Sequence, residues 1–523
     1  MHVSIVASLA GRAALGVAFP SDDGATAFAS NSNGSLKLSP VPPPVLGDGN
    51  PGPETWNLTI DDAGNGGYKQ KITGFGAAVT DATVTTFNTL PNDALDSLLN
   101  TLMTSDGAGF SLMRHTIGAS DLSAYPPYTY DDSMGQPDPN LTHFGLHKQG
   151  RNMTVLLKHM KDRQPDLKVI GSSWSAPGWM KQNGKLIDGN TATNNLWDIF
   201  HGPGSPNYSS AFAQYFVKYI QTFQERGVPI YAITIQNEPM NNKAGFPTMD
   251  MIAEEQAVLI ASYILPAFRE ENITTQIWAY DHNTGMCILR GDIPPVSQNR
   301  IDHPRFPQTV LDLVGRSVNT VAWHCYADVQ HKWKTMKHFY QRYREMNRTV
   351  DQYMTECWTP SRNTTWHQAA DFTMGPLRNW GSGVISWPLG ANSTDGPYLP
   401  SNDACHSCTG LVTINDNGTY TFQTAYYMMA QFSKFMPPGS TVLHDNGTYV
   451  HESGAGISAV ASETPDGSRT VVIKNTFGND IYVFLNTTSG QKWSGNIPMN
   501  SVTTWVLPVA FSDERLDGIP GEL

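Results

Sequence analysis

Two glutamates stand at the ends of apolar, strand-like runs: Glu238 in Ile233-Thr-Ile-Gln-Asn-Glu-Pro239 and Glu356 in Tyr353-Met-Thr-Glu-Cys-Trp358. An acid on a solvated face sits among polar neighbours, and these two do not. Two carboxylates facing each other across a cleft suit hydrolysis of a glycosidic bond. One, kept protonated by its surroundings, donates to the leaving oxygen; the other, ionised, attacks the anomeric carbon. Other residues that close such runs are Arg114, Trp174, Asp281, His324, Tyr326 and Trp387. Asp281 receives no role on this reading. The 13 Trp supply flat faces on which sugar rings can stack.

Metal chemistry finds less support. His324, His331 and His338 recur every seven residues, but two of them lie in the polar segment 330–348, which reads as a solvated helix face. No His-x-x-x-His pair with a third ligand accompanies them. Cys405-His-Ser-Cys408 lacks the second cysteine pair of a zinc finger and reads better as a local disulfide. With five Cys in the chain, at least one thiol is expected to be free. No cofactor is implied, because proton transfer and a covalent intermediate suffice.

The elements that must position these residues alternate in type. Short β-branched or aromatic runs at 74–77, 111–114, 168–172, 231–236, 276–280, 320–324, 352–356 and 384–387 read as strands. Helical stretches such as 91–103, 151–163, 211–226 and 252–270 lie between them. Eight βα repeats predict a closed (β/α)₈ barrel over 74–431, whose reactive groups stand at the C-terminal strand ends. A doubly wound open sheet would need a Gly-x-Gly-x-x-Gly turn opening a helix, and none occurs. Beyond residue 432, runs at 441–443, 457–461, 470–474, 481–485 and 501–507, joined by Gly, Asp and Asn turns, predict a β-sandwich over 432–523. Strands within 54–73 are expected to complete that sandwich. Residues 21–53, rich in Ser, Gly and Pro, read as a structureless leader, and 1–20 as a possible signal peptide.

Composition narrows the partners. Lys and Arg number 34 against 46 Asp and Glu, a net charge of −12, and no basic run appears. That excludes a nucleic-acid binder or a polybasic membrane protein. No uninterrupted apolar run reaches the ~18–20 residues of a membrane span. Twelve Asn-x-Ser/Thr sites, spread from Asn33 to Asn486, point to a secreted, extracellular glycoprotein. A monomer is expected.

Further text extends the pattern: Gly74-Phe-Gly-Ala-Ala-Val-Thr-Asp81, Arg114-His-Thr-Ile-Gly-Ala-Ser-Asp121, Ser172-Ser-Trp-Ser-Ala-Pro-Gly-Trp-Met-Lys181, Gln236-Asn-Glu-Pro239, His324-Cys-Tyr326, Thr355-Glu-Cys357 and Ser386-Trp-Pro-Leu389. Together, in this order, these motifs resemble glycoside hydrolase family 30, and within it the fungal endo-β-1,6-glucanase branch. The resemblance implies a retaining enzyme with Glu238 as acid/base and Glu356 as nucleophile. It implies that Asn237 bonds the sugar 2-hydroxyl, and that Arg114 and Tyr326 hold Glu356 ionised and aimed. Asp121, Trp174 and Trp387 would line a glucose pocket, with His324 as a further contact. The substrate so implied is β-1,6-glucan, a cell-wall polysaccharide. Glucosylceramidases share nearly all of these motifs, and a β-xylanase activity belongs to the same family. A carbohydrate-binding protein without catalysis would need the aromatics but not the paired acids.

Overall fold

A computed structural model describes residues 21–64, 66–189, 192–198, 200, 204–241, 243–286, 305–326, 332–358, 366–451 and 455–510. The possible signal segment, Cys287, His331 and the sequon at Asn363 lie outside the described residues.

Eight parallel strands follow one another in chain order and close on themselves. They are Gly74–Val79, Leu112–Ile117, Lys168–Ser173, Ile230–Thr234, Gln276–Asn283, Thr320–His324, Asp351–Glu356 and Gly381–Ser386. Both faces of these strands are covered, which is why their text is continuously apolar and not alternating. The helices cover the outside with one apolar face each; Asn92–Met103, for example, buries Leu98, Leu99, Leu102 and Met103. The helix expected over 252–270 contains a π-helical turn, Leu259–Ile264, ahead of Pro266, which has no N–H to donate.

Inside the barrel, Leu112, Ile170, Ala232, Trp278, Ala322, Tyr353 and Ile385 form one apolar cluster, a residue from each of seven strands. Trp278 and Tyr353 stack at its centre, 4.0 Å apart. Side chains on a strand return to the same face every second residue. Two positions further along these strands stand Arg114, Ser172, Thr234, His324, Thr355 and Trp387. The apolar layer is therefore the floor on which a polar layer is built.

The fifth strand breaks the rhythm. Its pairing with the sixth strand shifts register between Tyr280 and His282, and Tyr280 and Asp281 take φ of 79° and 61°. This is a β-bulge with two non-glycine residues in the left-handed region. Tyr280 turns outward onto Phe306 and Trp323, 5.3 and 5.5 Å between ring centroids. Asp281 takes its place inside.

The second layer of structure is a sandwich of antiparallel strands, with one parallel pairing between Thr55–Asp61 and Ile481–Thr487. Its corner is the strand Thr441–Asn446. Thr441–Leu443 pairs with residues 461–463, and His444–Asn446 with residues 59–61. Ile60, Ala459, Val471, Val483, Trp493 and Trp505 share its core. Val442, Val460, Val472 and Val502, on the other face, belong to the core of the barrel.

The structureless leader is corrected by the structure. Thr26–Asn31 is a strand that pairs along its full length with residues 501–506. Its inward residues Ala27 and Ala29 are buried, but alanines surrounded by Ser, Gly and Asn carry too little apolar signal to mark a strand. The strand Lys492–Ile497 also went unanticipated, since Trp493 and Ile497 are its only large apolar residues.

Candidate active site

Arg114, on the second strand, is entirely buried and organises the site. Its Nη1 donates to Glu356 Oε2 at 2.6 Å. Its Nη2 reaches Asn237 Oδ1 at 2.6 Å, Asp281 Oδ2 at 2.9 Å and Ser172 Oγ at 3.1 Å. Tyr326 donates its hydroxyl to the other oxygen of Glu356, at 2.9 Å. Both oxygens of that carboxylate are thus fixed, a charge-assisted arrangement that sets its direction.

Glu238 follows the fourth strand, with its backbone in the left-handed region at φ 47°. That conformation is held from both sides. Its N–H donates to Asp281 O at 3.0 Å, and its carbonyl accepts from Asn241 N at 2.7 Å. Asn241 Nδ2 also donates to Glu238 Oε2 at 2.6 Å. The amide oxygen of Asn237 is taken by Arg114, so its NH₂ is the end left to meet a ligand.

His324 is fully buried between two carboxylates: Nδ1 lies 3.1 Å from Glu238 Oε1, and Nε2 lies 3.0 Å from Asp281 Oδ1. A neutral imidazole has one N–H, yet both nitrogens face acceptors. The arrangement closes only with one further proton, held by the imidazole or by Glu238. The electrostatics place it on the imidazole. Burial lowers the affinity of His324 for a proton, but Glu356, Asp281 and Glu238 outweigh it and push its pKa up to about 9. For Glu238, burial is outweighed by the imidazoles of His282, which is charged only in acid, and of His324, with hydrogen bonds from His324 and Asn241, which bring its pKa down to about 2. Glu356 is raised above the ordinary value by burial, against His324 and Arg114, with Glu238 and Asp281 adding to the rise. This differs from the expectation that surroundings keep Glu238 protonated: the proton it would donate rests on His324 beside it.

Asp281 is the hub that the sequence did not reveal. It accepts from Arg114, from His324, from Thr355 Oγ1 at 2.7 Å, from Ser172 Oγ at 2.8 Å and from Thr234 Oγ1 at 2.6 Å. Burial notwithstanding, Arg114 and His324 hold its carboxyl well below the usual range. Period-two reading of the strand puts Tyr280 inward, and only the bulge brings Asp281 in.

The aromatic wall adjoins this network. Trp174 lies under Arg114, 4.8 Å from the guanidinium carbon, and stacks on Trp387 at 5.4 Å. Asp121 stands beside them: its carbonyl accepts from Leu399 N at 2.9 Å and its Oδ2 from Cys405 N at 3.3 Å. Burial, and then the charge of Glu356, push its pKa up to about 7. Arg114, Asp121, Trp174, Asn237, Glu238, His324, Tyr326, Glu356 and Trp387 are therefore gathered at one end of the barrel.

Two disulfides brace that end. Cys405 pairs with Cys408, beside Asp121, and Cys325 pairs with Cys357, joining the residue before Tyr326 to the residue after Glu356. Among the described residues, Glu238, His324 and Glu356 form one group close enough to share an ion, their ligand atoms within 4.8 Å. Those donors are already spent: Arg114 holds Glu356, and both His324 nitrogens face carboxylates. His338, on the helix Lys332–Glu345, is exposed and apart from the site.

Known proteins resemble the chain along nearly its whole length. An endo-1,6-β-D-glucanase, BGN16.3, of Trichoderma harzianum is 55% identical, covering 97% of this chain and all of its own. The endo-1,6-β-D-glucanase neg1 of Aspergillus fumigatus is 56% identical over 93% of this chain and 95% of its own. Among solved structures, "The endo-beta1,6-glucanase BT3312" superposes with a TM-score of 0.77 at 24% identity, covering 93% of this chain and 99% of that one. Residues 72–436 match the glycosyl hydrolase family 30 TIM-barrel domain, and residues 445–505 match the family's β-sandwich domain. Barrel, sandwich and whole-chain relatives agree, and the chain belongs to glycosyl hydrolase family 30.

Proposed function

We propose that this protein is a secreted endo-β-1,6-glucanase that cleaves with retention of configuration. The observation that carries the mechanism is the closeness of Glu238 and Glu356, with carboxylate oxygens within 4.8 Å across the barrel mouth. Retaining glycosidases hold their two acids about 5 Å apart, whereas inverting enzymes leave room for a water between them. The substrate assignment rests on whole-chain relatives that are endo-1,6-β-D-glucanases at 55–56% identity.

Glu356, aimed by Arg114 and Tyr326, attacks the anomeric carbon as the bond to the leaving oxygen breaks. Glu238 gives that oxygen its proton. The imidazolium of His324 supplies it across the 3.1 Å contact, leaving neutral His324 with its Nε2–H on Asp281. In the second half, Glu238 takes a proton from water, which displaces Glu356 from the glycosyl carbon. Asn237 donates its amide to the sugar 2-hydroxyl, a contact that tightens in the transition state. Every group in this scheme comes from one chain, so a monomer suffices.

Secretion is supported by two disulfides, which persist in oxidising compartments. No Asn of a described sequon is buried, which leaves each open to glycosylation. No helix among the described residues is long and apolar enough to cross a membrane.

Product analysis on linear β-1,6-glucan, with glucosylceramide and glucuronoxylan in parallel, tests the substrate. Gentio-oligosaccharides from the glucan alone are expected. Glucose from the lipid alone would move the activity to the glucosylceramidase side, and binding without turnover would leave a carbohydrate-binding protein. Glu238→Ala should lose activity on poor leaving groups and regain some with azide, as a retained glycosyl azide. Glu356→Ala should give no retained product with azide; the opposite pattern would exchange the two roles.

A further inference from the structure

Three of the Asn-x-Thr sequons meet on one face of the sandwich. The strands Thr441–Asn446, Thr55–Asp61 and Ile481–Thr487 lie side by side, and each carries one, at Asn446, Asn57 and Asn486. We propose that this surface is a glycan face: N-linked glycans stand on all three asparagines, and the sugars attached to Asn57 and Asn486 pack on Phe484. The proposal rests on the reading of a secreted protein and adds to it which surface the glycans close.

Register carries the argument. Residues paired across two strands point to the same side of a sheet, and so do residues two apart along one strand. Thr59 pairs with Asn446 on one flank and with Asn486 on the other, and Asn57 stands two residues before it. The three asparagines therefore share a side, with Asn57 diagonal to both others at about 7–8 Å. Burial gives the direction. Leu58, Ile60, Val483 and Leu485 alternate with these positions and fill the sandwich core. Asn57, Thr59 and Asn446 are exposed, and Asn486 is half-buried. The three sites lie at least 40 residues apart in the chain, so an extended chain presents each by itself and only the fold brings them together.

Phe484 shows what the sugars meet. It pairs with Asn57 and stands two residues before Asn486, on the same outward side. Its ring meets Tyr482 edge to face, 5.5 Å between centroids, and Lys492 approaches it from the strand on the other flank, 4.7 Å from the centroid. The flank toward Asn57 carries only polar residues, so a large apolar ring is left half open in the middle of a sheet. A pyranose offers an apolar C–H face that fits such a ring, and a glycan on either side of it closes the patch to other proteins.

The test uses the full-length chain secreted from a eukaryotic host that adds N-glycans. Mass spectrometry of its glycopeptides should find Asn57, Asn446 and Asn486 each occupied. Hydroxyl-radical labelling of the folded protein then reads Phe484 directly. Its oxidation should be several-fold slower than after enzymatic removal of the glycans, and the Asn57→Gln/Asn486→Gln variant should show the fast rate without enzyme treatment. Any of the three asparagines found unmodified, or a Phe484 oxidised equally fast in both forms, overturns the proposal. The underlying reading is decided separately. Glycans on Asn33 or Asn140 beside bare Asn57, Asn446 and Asn486 would remove the glycan face alone; a chain retained in the cell with no sequon modified would remove the secreted reading and the face with it.

Discussion

Arg114 at the barrel mouth and Arg469 in the sandwich are both buried guanidiniums facing an aspartate, and their surroundings differ in kind. Arg469 bonds Asp62 at 2.7 Å, and its other donors end on Gln491 Oε1 and Pro508 O. Asp62 in turn accepts from Ser489 N and Oγ, both at 2.8 Å. There one cation meets one anion and the remaining hydrogen-bonding groups are neutral. At the mouth, Arg114 and His324 meet three carboxylates, those of Glu238, Asp281 and Glu356. A balanced buried pair is a fastening. A crowd of acids sharing too few cations leaves a proton to be moved, and that is what acid/base chemistry needs.

The largest expected effects come from removing each arginine. Arg114→Met should lower kcat/KM on the order of 10³-fold, since it removes the group that aims Glu356 and offsets its charge. Arg469→Met should leave kcat of the folded enzyme unchanged and cost about 3–5 kcal/mol of stability by stranding Asp62 in the sandwich. Kinetics on purified variants, with denaturant unfolding alongside, separate the two. A kcat loss in Arg469→Met, or an active Arg114→Met, would break the contrast.

The aspartates sharpen it. Asp281→Asn takes away one of the charges that raise His324, so the basic limb of the kcat/KM profile should move acidward by a unit or more. Asp62 has its carboxyl lowered: burial opposes, but Ser489 and Arg469 prevail. A lowered acid stabilises the fold above its unfolded pKa of about 3.9, and that contribution disappears as pH falls through the folded value. Asp62→Asn should therefore be less stable than wild type at neutral pH, with the gap closing in strong acid and no change in the pH–rate profile.

The same contrast explains what was legible. Barrel strands announce themselves because they are covered on both faces, and the residues two positions past their apolar floor make up part of the site. Arg114, His324 and Trp387 follow from that rhythm. Asp281 does not, because a bulge is a departure from period two that composition does not record. The strand Thr26–Asn31 was hidden because it is anchored by alanines and by its partner, 470 to 480 residues away in sequence. The location of the proton was also hidden, since it depends on His324 lying between two acids contributed by distant strands.

Stability against pH gives a smaller effect with a definite sign. Burial raises Asp81 and Asp131 to about 6 and Asp121 and Asp250 to about 7, with neighbouring acids adding to all but the first. Each holds a proton in the fold that the unfolded chain releases near pH 4, so stability falls as pH rises from about 4 to 7. His324 acts in the same sense from its unfolded value near 6.5 up to about 9, while Lys181 and Lys69, lowered by burial to about 7 and about 8, oppose it above those values. His115 and His282, kept neutral by burial with values of about 3 and 4, act in the opposite sense below pH 6.5. Four groups against two leave the melting temperature highest in mildly acidic buffer. Asp250→Asn should flatten the fall toward neutrality; a melting temperature rising from pH 5 to 8 would contradict the assignment.

The disulfides provide the finest comparison, because they lie at the mouth where the charges are unbalanced. Cys325–Cys357 joins residues 32 apart, and Cys405–Cys408 residues 3 apart. On loop-closure entropy the first contributes about 3–4 kcal/mol and the second about 2. Their kinetic effects should divide differently. The Cys325→Ser/Cys357→Ser double variant loosens Tyr326 against Glu356 and should lower kcat. The Cys405→Ser/Cys408→Ser variant loosens the N–H that Cys405 gives Asp121, beside Trp174 and Trp387, and on the proposed reading of that wall should raise KM a few-fold with kcat nearly kept. Measuring both parameters at a temperature where each variant is folded tests the division. If the two pairs alter kcat and KM alike, the bridges serve stability only, and the mouth draws its alignment from Arg114 and Asp281 alone.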